Sequence, residues 1–440
     1  MGNFGVPRSA HCSTWGLPMH EVYSTWAWSA GTIVGFFLII FFVIDGKIAL
    51  LFYVLIMPII TPLMDAVITI PGSHATVAFG GPLQAIVLLA ALVSVARSGK
   101  RAFRVPAVKV FLLLWLIMGI SMVGSPDKIK AVKEWGRIGS FVFIYVLAAV
   151  SFKGERDTRL FVRVLLIATI VPMMVAAYQL VTNTGLFAPT DPFHRLMGTF
   201  GNPNGLAQFL SFPLLICLTV ALDEETAHGK RLFFWGLAFV FLITVFLTYS
   251  RSSWFGLVAA ALVIGLKRNR RLLYAIPLLV VLLLAFVPLK SIRLGEFETG
   301  QVKMSGRVEN WQTMLPRVKQ RPILGRGLTA MSEFTESDHV RLLLETGIVG
   351  WLSFLWLLWA LYRAASRNLA AAQGTERNFA LAFLAYFVCM VAVGFAGTNI
   401  MFQYYIWVPA GIAMSRSMRK QEKPLEQGIR LPRKQRQAVA

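Results

Sequence analysis

Again and again this sequence runs for about 20 residues with almost no charge, the length that crosses ~30 Å of hydrocarbon as an α-helix. Such stretches lie near 28–44, 48–70, 76–96, 107–124, 138–151, 163–182, 203–222, 232–249, 252–267, 271–289, 340–363, 379–397 and 400–416. The composition agrees, with 56% of 440 residues hydrophobic and only 15% charged, a balance foreign to soluble domains. The pattern predicts an all-α polytopic membrane protein with about 12 transmembrane helices, because several of the candidates are short or closely spaced. We expect one integral membrane domain over residues 1–440, a large polar loop at 290–338 and a basic tail at 417–440. Residues 1–25 lack a basic region followed by an apolar core, so no cleavable signal is expected there.

Short basic loops set the orientation. Arg97, Lys100, Arg101 and Arg104 form one cluster, and Lys267, Arg268, Arg270 and Arg271 form another. Placing both, with the tail, on the cytoplasmic side satisfies the positive-inside rule. The net charge of +22 then reflects topology and contact with anionic membrane lipids, not nucleic acid, for which no basic soluble module exists. Cys12, Cys217 and Cys389 are far apart, which suggests neither a disulfide framework nor a metal site. Alternation of the spans puts three polar regions on the opposite, external side: loop 183–202, the junction 249–252 and loop 290–338.

Those regions hold the residues with chemistry to offer. Arg195 sits near the lipid boundary, where a guanidinium needs an ion-pair partner, a lipid headgroup or a phosphate. Asn202 and Asn204 flank Pro203 ahead of the next span, and Asn204 is suited to capping that helix. Tyr249-Ser250-Arg251-Ser252-Ser253 joins two spans almost without a loop, so the Arg251 fork either snorkels to headgroups or grips phosphate oxygens. In loop 290–338, Val308, Trp311, Met314 and Leu315 recur at helical spacing and predict an amphipathic helix on the membrane surface. A Gly/Pro-rich turn, Arg321-Pro322-Ile323-Leu324-Gly325-Arg326-Gly327, follows it. At the start of the next span stands His339, beside Asp338. An imidazole at a membrane boundary is costly to keep and suited to moving protons near neutral pH. No paired Cys, clustered carboxylates, His-Glu-x-x-His, Walker loop or dinucleotide fingerprint occurs.

In order, Arg195-Leu-Met-Gly198-Thr-Phe-Gly201-Asn202-Pro203-Asn204, Ser250-Arg251, Gly306-Arg307 with Trp311, Arg321 to Gly327, and His339 with Gly350 resemble the O-antigen ligase family. That family shares a domain with O-antigen polymerases and some protein O-oligosaccharyltransferases. Its ligases carry a Gly eleven positions after the His, an interval His339 and Gly350 keep, and a polar residue directly after the His, where this chain has Val340. The resemblance implies a C-type glycosyltransferase-like fold in the inner membrane of Gram-negative bacteria, with loop 290–338 in the periplasm. It implies transfer of a polysaccharide from undecaprenyl diphosphate to a sugar hydroxyl of lipid A–core, with neither metal nor nucleotide as cofactor. His339 would act as base, in an inverting displacement, and Arg195, Arg251, Arg307 and Arg326 would clamp the diphosphate. An O-antigen polymerase or protein O-oligosaccharyltransferase is the nearest alternative. A transporter or flippase fits less well, since no internal repeat is evident and the ionisable residues gather at one face.

Overall fold

In the computed structural model the described residues are 45–64, 67–69, 76–78, 91–93, 95–186, 194–274, 314–330, 337–395 and 404–429, with single positions 33, 36, 40, 89 and 312. The longer helices among them are α1 (Gly46–Met64), α2 (Val108–Ser121), α3 (Lys128–Ser151), α4 (Glu155–Ala168), α5 (Ile170–Thr182) and α6 (Pro203–Ala221). They continue with α7 (His228–Leu247), α8 (Arg251–Lys267), α9 (Asp338–Ala371), α10 (Gly374–Phe395) and α11 (Tyr404–Ile429). Between α1 and α2 lies a small antiparallel ribbon of β1 (Val67–Thr69) and β2 (Thr76–Ala78).

Six helical stretches among the described residues are long and apolar enough to cross a membrane: 128–151, 155–182, 203–221, 228–247, 338–371 and 374–395. A seventh arises if the bent pair Ala91–Arg104 and Val108–Gly124 is one span. This is a membrane protein built of helices, and the expected 12 spans are not reached among the described residues. Expected spans 28–44 and 271–289 fall largely outside those residues. The expected span 76–96 is corrected, because it opens with strand β2 and helix is described there only from residue 89. Val, Ile and Thr dominate both strands, and their branched side chains favour extended backbone.

Two other boundaries moved because charge was read as a helix limit. α3 starts at Lys128 rather than near 138, capped by the Asp127 side chain, which accepts from the Lys130 N–H at 3.0 Å. Its first turns carry Glu134 and Arg137, which are buried in ion pairs instead of left in water. α11 continues to Ile429, so the basic tail expected from 417 begins as helix, with Arg419 bonded to Glu376 at 2.6 Å.

Polar bonds tie together the end of the bundle that bears the basic loops. Arg268, just past α8, reaches Asp223 at 2.5 Å and Asn378 at 2.6 Å, and Asn378 donates back to Asp223 at 2.7 Å. Burial alone would raise the Asp223 carboxyl, but the Asn378 amide and the Arg268 guanidinium outweigh it and hold it below the usual carboxylate value. A depressed carboxylate contributes stability that is complete above its unfolded pKa and lost as pH falls through the folded one. Asp223→Asn is therefore expected to cost about 1–2 kcal/mol at neutral pH. The gap from wild type should begin to narrow at the usual carboxylate pKa of about 4 and close only as pH falls through the lower folded value, where the wild-type carboxylate also loses its charge. Melting temperatures of the two purified proteins across that range check this.

Between the ends, helices pack through aromatic and small side chains, as is usual where lipid offers no hydrophobic drive between helices. Trp407 of α11 meets Phe111 of α2 at 4.4 Å, and Phe212 of α6 meets Tyr386 of α10 at 4.8 Å, all deeply buried. Cys217 and Cys389 are buried free thiols in this core. α8 lies along α10, with Gly256 against Cys389, so the N-terminus of α8 reaches the same end as the C-terminus of α10.

Candidate functional site

The site grows out of a break in α9. Gly347 has φ 66° and ψ −166°, a conformation that interrupts the helix and that an L side chain adopts at a cost. The break frees backbone groups that must be satisfied locally at membrane depth. The turn at 321–327 supplies the partners. Arg326 N–H donates to the Leu344 carbonyl at 2.8 Å and Gly327 N–H to that of Glu345 at 3.1 Å. In return, Ile348 N–H donates to the Pro322 carbonyl at 2.8 Å and Val349 N–H to that of Ile323 at 3.4 Å. Ser121 and Ser125 close the junction from α2 by donating to the Glu345 and Leu328 carbonyls. Three bulkless positions make the approach possible: a side chain on Gly347 would overlap the Ile323 carbonyl, and one on Gly350 the Thr346 side chain, which folds back onto Leu342. Gly327 leaves room for the backbone at 124–125 in the same way.

The break decides what His339 touches. His339 and Trp351 are twelve positions apart, which would separate them by about 18 Å along a straight helix. Instead Trp351 Nε1 donates to His339 Nδ1 at 3.2 Å. With Nδ1 accepting, the neutral ring carries its hydrogen on Nε2. That atom is buried and has no hydrogen-bond partner among the described residues. Phe395, from the end of α10, stacks on the ring at 4.2 Å, and Phe354 lies edge-on at 5.7 Å. The ring itself is only 8% exposed, while Phe395 is largely open to the outside. Beneath it, Ser337 donates to the Gly394 carbonyl at 3.5 Å and ties the start of α9 to α10.

Two residues beyond His339, Arg341 enters a compact ion cluster. It donates to Glu345 at 3.1 Å and to Glu134 of α3 at 2.9 Å, and Arg137 grips both oxygens of Glu134 at 2.6 and 2.9 Å. Two guanidinium and two carboxylate groups balance, which makes their burial tolerable. Thr329 N–H adds a bond to Glu345 at 3.1 Å, linking the loop to the cluster. The remaining Glu345 oxygen, Oε2, is buried without a hydrogen-bond partner among the described residues.

A second corner forms where α7 meets α8. Arg195 Nε donates to the Thr248 carbonyl at 2.8 Å, and Nη2 to the Tyr249 carbonyl at 3.3 Å and the Asn204 side chain at 3.5 Å. Arg195 thus satisfies carbonyls that the end of α7 leaves unpaired. The strand-like bridge between Leu186 and Arg195, and Gln179 bonding Met197 and Gly198, hold this loop in place. The expected cap is corrected: Asn202, not Asn204, caps α6, accepting from Gly205 N–H at 2.7 Å, and Asn204 faces Arg195. Pro203 takes the first helical position, where a missing N–H costs nothing. Arg251 opens α8 and is exposed, above a Ser250–Ser253 hydroxyl pair at 2.9 Å.

The chain matches the family described as O-antigen ligase over residues 236–355. Over that stretch it is similar to the O-antigen ligase family. No curated protein matches the sequence. The matched stretch runs from within α7, through the Arg251 junction and the 321–327 turn, to the Gly347 break and Gly350 of α9. Members of this family are membrane-embedded glycosyltransferase-like enzymes acting on polysaccharide and lipid substrates.

Of the residues singled out by sequence, Arg195 and Arg251 share the α7–α8 corner, and His339 and Arg326 flank the break in α9 at the same end of the bundle. Arg326 is half-buried and donates to Gln320 at 3.2 Å. Arg307 lies outside the described residues, as do Val308 and Trp311 of the expected amphipathic helix. Met314 of that helix is described and is buried against Val340 and Leu344. No group of three His, Cys, Asp or Glu side chains gathers among the described residues. Trp351, Glu134, Arg137, Arg341 and Glu345 were not anticipated. The signal for them was Gly347 at the head of a long apolar run, just after the charged pair Arg341 and Glu345.

Proposed function

We propose that the chain is an O-antigen ligase, which moves a polysaccharide from undecaprenyl diphosphate to a sugar hydroxyl of lipid A–core on the periplasmic side of the inner membrane. The family domain carries this reading, because it covers the Arg251 junction and the His339 arm, which the fold brings to one end. The acceptor oxygen attacks the anomeric carbon while the bond to the diphosphate breaks, inverting the configuration. The acceptor proton passes to His339, and the charge leaving with the diphosphate meets Arg195, Arg251, Arg307 and Arg326.

The geometry adds a condition to this scheme. Since Trp351 holds Nδ1, that nitrogen takes a proton only after the indole lets go, so acceptor binding displaces Trp351 from the ring. Trp351→Phe then leaves Nδ1 free in the resting enzyme and removes a bond that must break first, so turnover should rise, by up to about tenfold. It should leave protein abundance near wild type. Turnover equal to wild type would remove Trp351 from the scheme.

Val340 favours a second reading, since it stands where ligases carry a polar residue and here packs on Met314. In that reading the acceptor is another lipid-linked chain, as in a polymerase. Expression in cells lacking their own ligase separates the two. Polymer on lipid A–core supports ligation, and lengthened lipid-linked chains with bare core support polymerisation. A covalent glycosyl-protein trapped on denaturation would contradict single displacement.

A further inference from the structure

A cavity of about 600 Å³ opens at the end of the bundle opposite His339. Residues from four stretches of chain converge on it, bringing Lys47, Arg97, Arg101, Lys153 and Arg419 against two carboxylates among the described residues, Asp45 and Asp157. Both carboxylates already have partners: Asp157 accepts from the Lys47 ammonium at 3.1 Å and the Lys153 N–H at 2.8 Å, and Asp45 from the Lys47 N–H at 2.7 Å. The buried Arg419 Nε has no hydrogen-bond partner among the described residues, while the rest of its fork holds the Lys153 carbonyl and Glu376. Ser98, Ser151 and Ser415 add hydroxyls, and Phe152 and Met418 supply an apolar side.

Cations that only fix membrane orientation can lie anywhere in short loops. Here they line a concave, polar space where, among the described residues, cationic side chains outnumber carboxylates. Phosphate oxygens suit such donors, and guanidinium forks bind them in pairs. Basic pockets between helices on the positive side of a membrane hold anionic lipid headgroups by this chemistry. We propose that the cavity binds a phosphate ester, from the headgroup of an anionic phospholipid in the adjoining leaflet or from a soluble phosphate. The proposal stands apart from the transfer chemistry at the other face.

Arg97 and Arg101 are exposed at the cavity mouth, and the melting temperature of their double variant without ligand reads whether the fold is kept. The full chain is placed in bilayer discs of phosphatidylcholine mixed with phosphatidylglycerol, released, and its bound lipid read by native mass spectrometry. Melting is followed in parallel with added inorganic phosphate. Arg97→Gln with Arg101→Gln should retain about tenfold less phosphatidylglycerol than wild type. Arg270→Gln with Arg271→Gln, an equal loss of charge on the same face but outside the cavity, should retain as much as wild type. If phosphatidylglycerol is not retained but phosphate raises the melting temperature of wild type and not of the cavity variant, a soluble phosphate is the ligand. Equal losses in both variants would reduce the effect to diffuse surface charge and overturn the site. So would wild-type protein that neither keeps the lipid nor responds to phosphate.

Discussion

His339→Ala is expected to reach the membrane at wild-type abundance and to lose turnover by about 10²–10⁴-fold, the range a positioned general base contributes. Abundance should survive because, among the described residues, the imidazole makes one hydrogen bond, from Trp351, and ring contacts with Phe354 and Phe395, none of which closes a helix junction. The junction beneath is held by the 321–327 turn and by the ion cluster that starts two residues further on, at Arg341. Cells carrying the variant should lack the polysaccharide ladder on lipid A–core and accumulate lipid-linked polymer. His339→Gln offers a bond to Trp351 but no titratable group near neutral pH. If it fails as fully as the alanine variant, the ring acts through its proton chemistry. Recovery of activity in His339→Gln would instead assign the ring a packing role.

Gly347→Ala should destabilise the protein by about 3–5 kcal/mol, the range reserved for changes that break a named structural device. Two effects add. An alanine at φ 66° and ψ −166°, a region all but confined to glycine, pays roughly 1–3 kcal/mol of backbone strain. Its methyl group would also overlap the Ile323 carbonyl, which cannot move without releasing the bonds that satisfy the broken helix. Gly374, at φ 52° with open space around it, isolates the first effect, so Gly374→Ala should cost only about 1 kcal/mol. Melting of the purified variants reads both. Equal shifts would mean that the turn at 321–327 yields to the methyl group and that the break is not locked by it.

Much of this architecture was legible because twenty apolar residues at a stretch leave a chain few options. The helices at 203–221, 228–247, 251–267 and 374–395 lie close to where hydropathy put them. Hydropathy failed where charge was buried in pairs. Glu134 and Arg137 read as a boundary, yet Arg341, more than two hundred residues away, lets them sit inside a helix pair. Pairing across such a separation leaves no local mark. The ribbon at 67–69 and 76–78 was hidden for the opposite reason, since β-branched apolar residues score as membrane helix while favouring strand.

The site was half visible. His339, Arg195 and Arg251 stood out as ionisable groups at the ends of apolar runs. Their surroundings did not. A His and a Trp twelve positions apart meet only because Gly347 breaks the helix, and the break holds only because Pro322 to Gly327 answer its unpaired backbone. The sequence shows both halves of that lock, a Gly/Pro-rich turn and the Gly347–Gly350 pair in an apolar run, without showing that they fit each other.

The most direct measurement mixes the purified protein with undecaprenyl-diphosphate-linked polysaccharide and lipid A–core in detergent and follows both lipids on a gel. The account predicts polysaccharide appearing on lipid A–core, with free undecaprenyl diphosphate released in equal amount, and no product from His339→Ala. Donor left intact by well-folded wild-type protein, or the same product yield from His339→Ala, would contradict it.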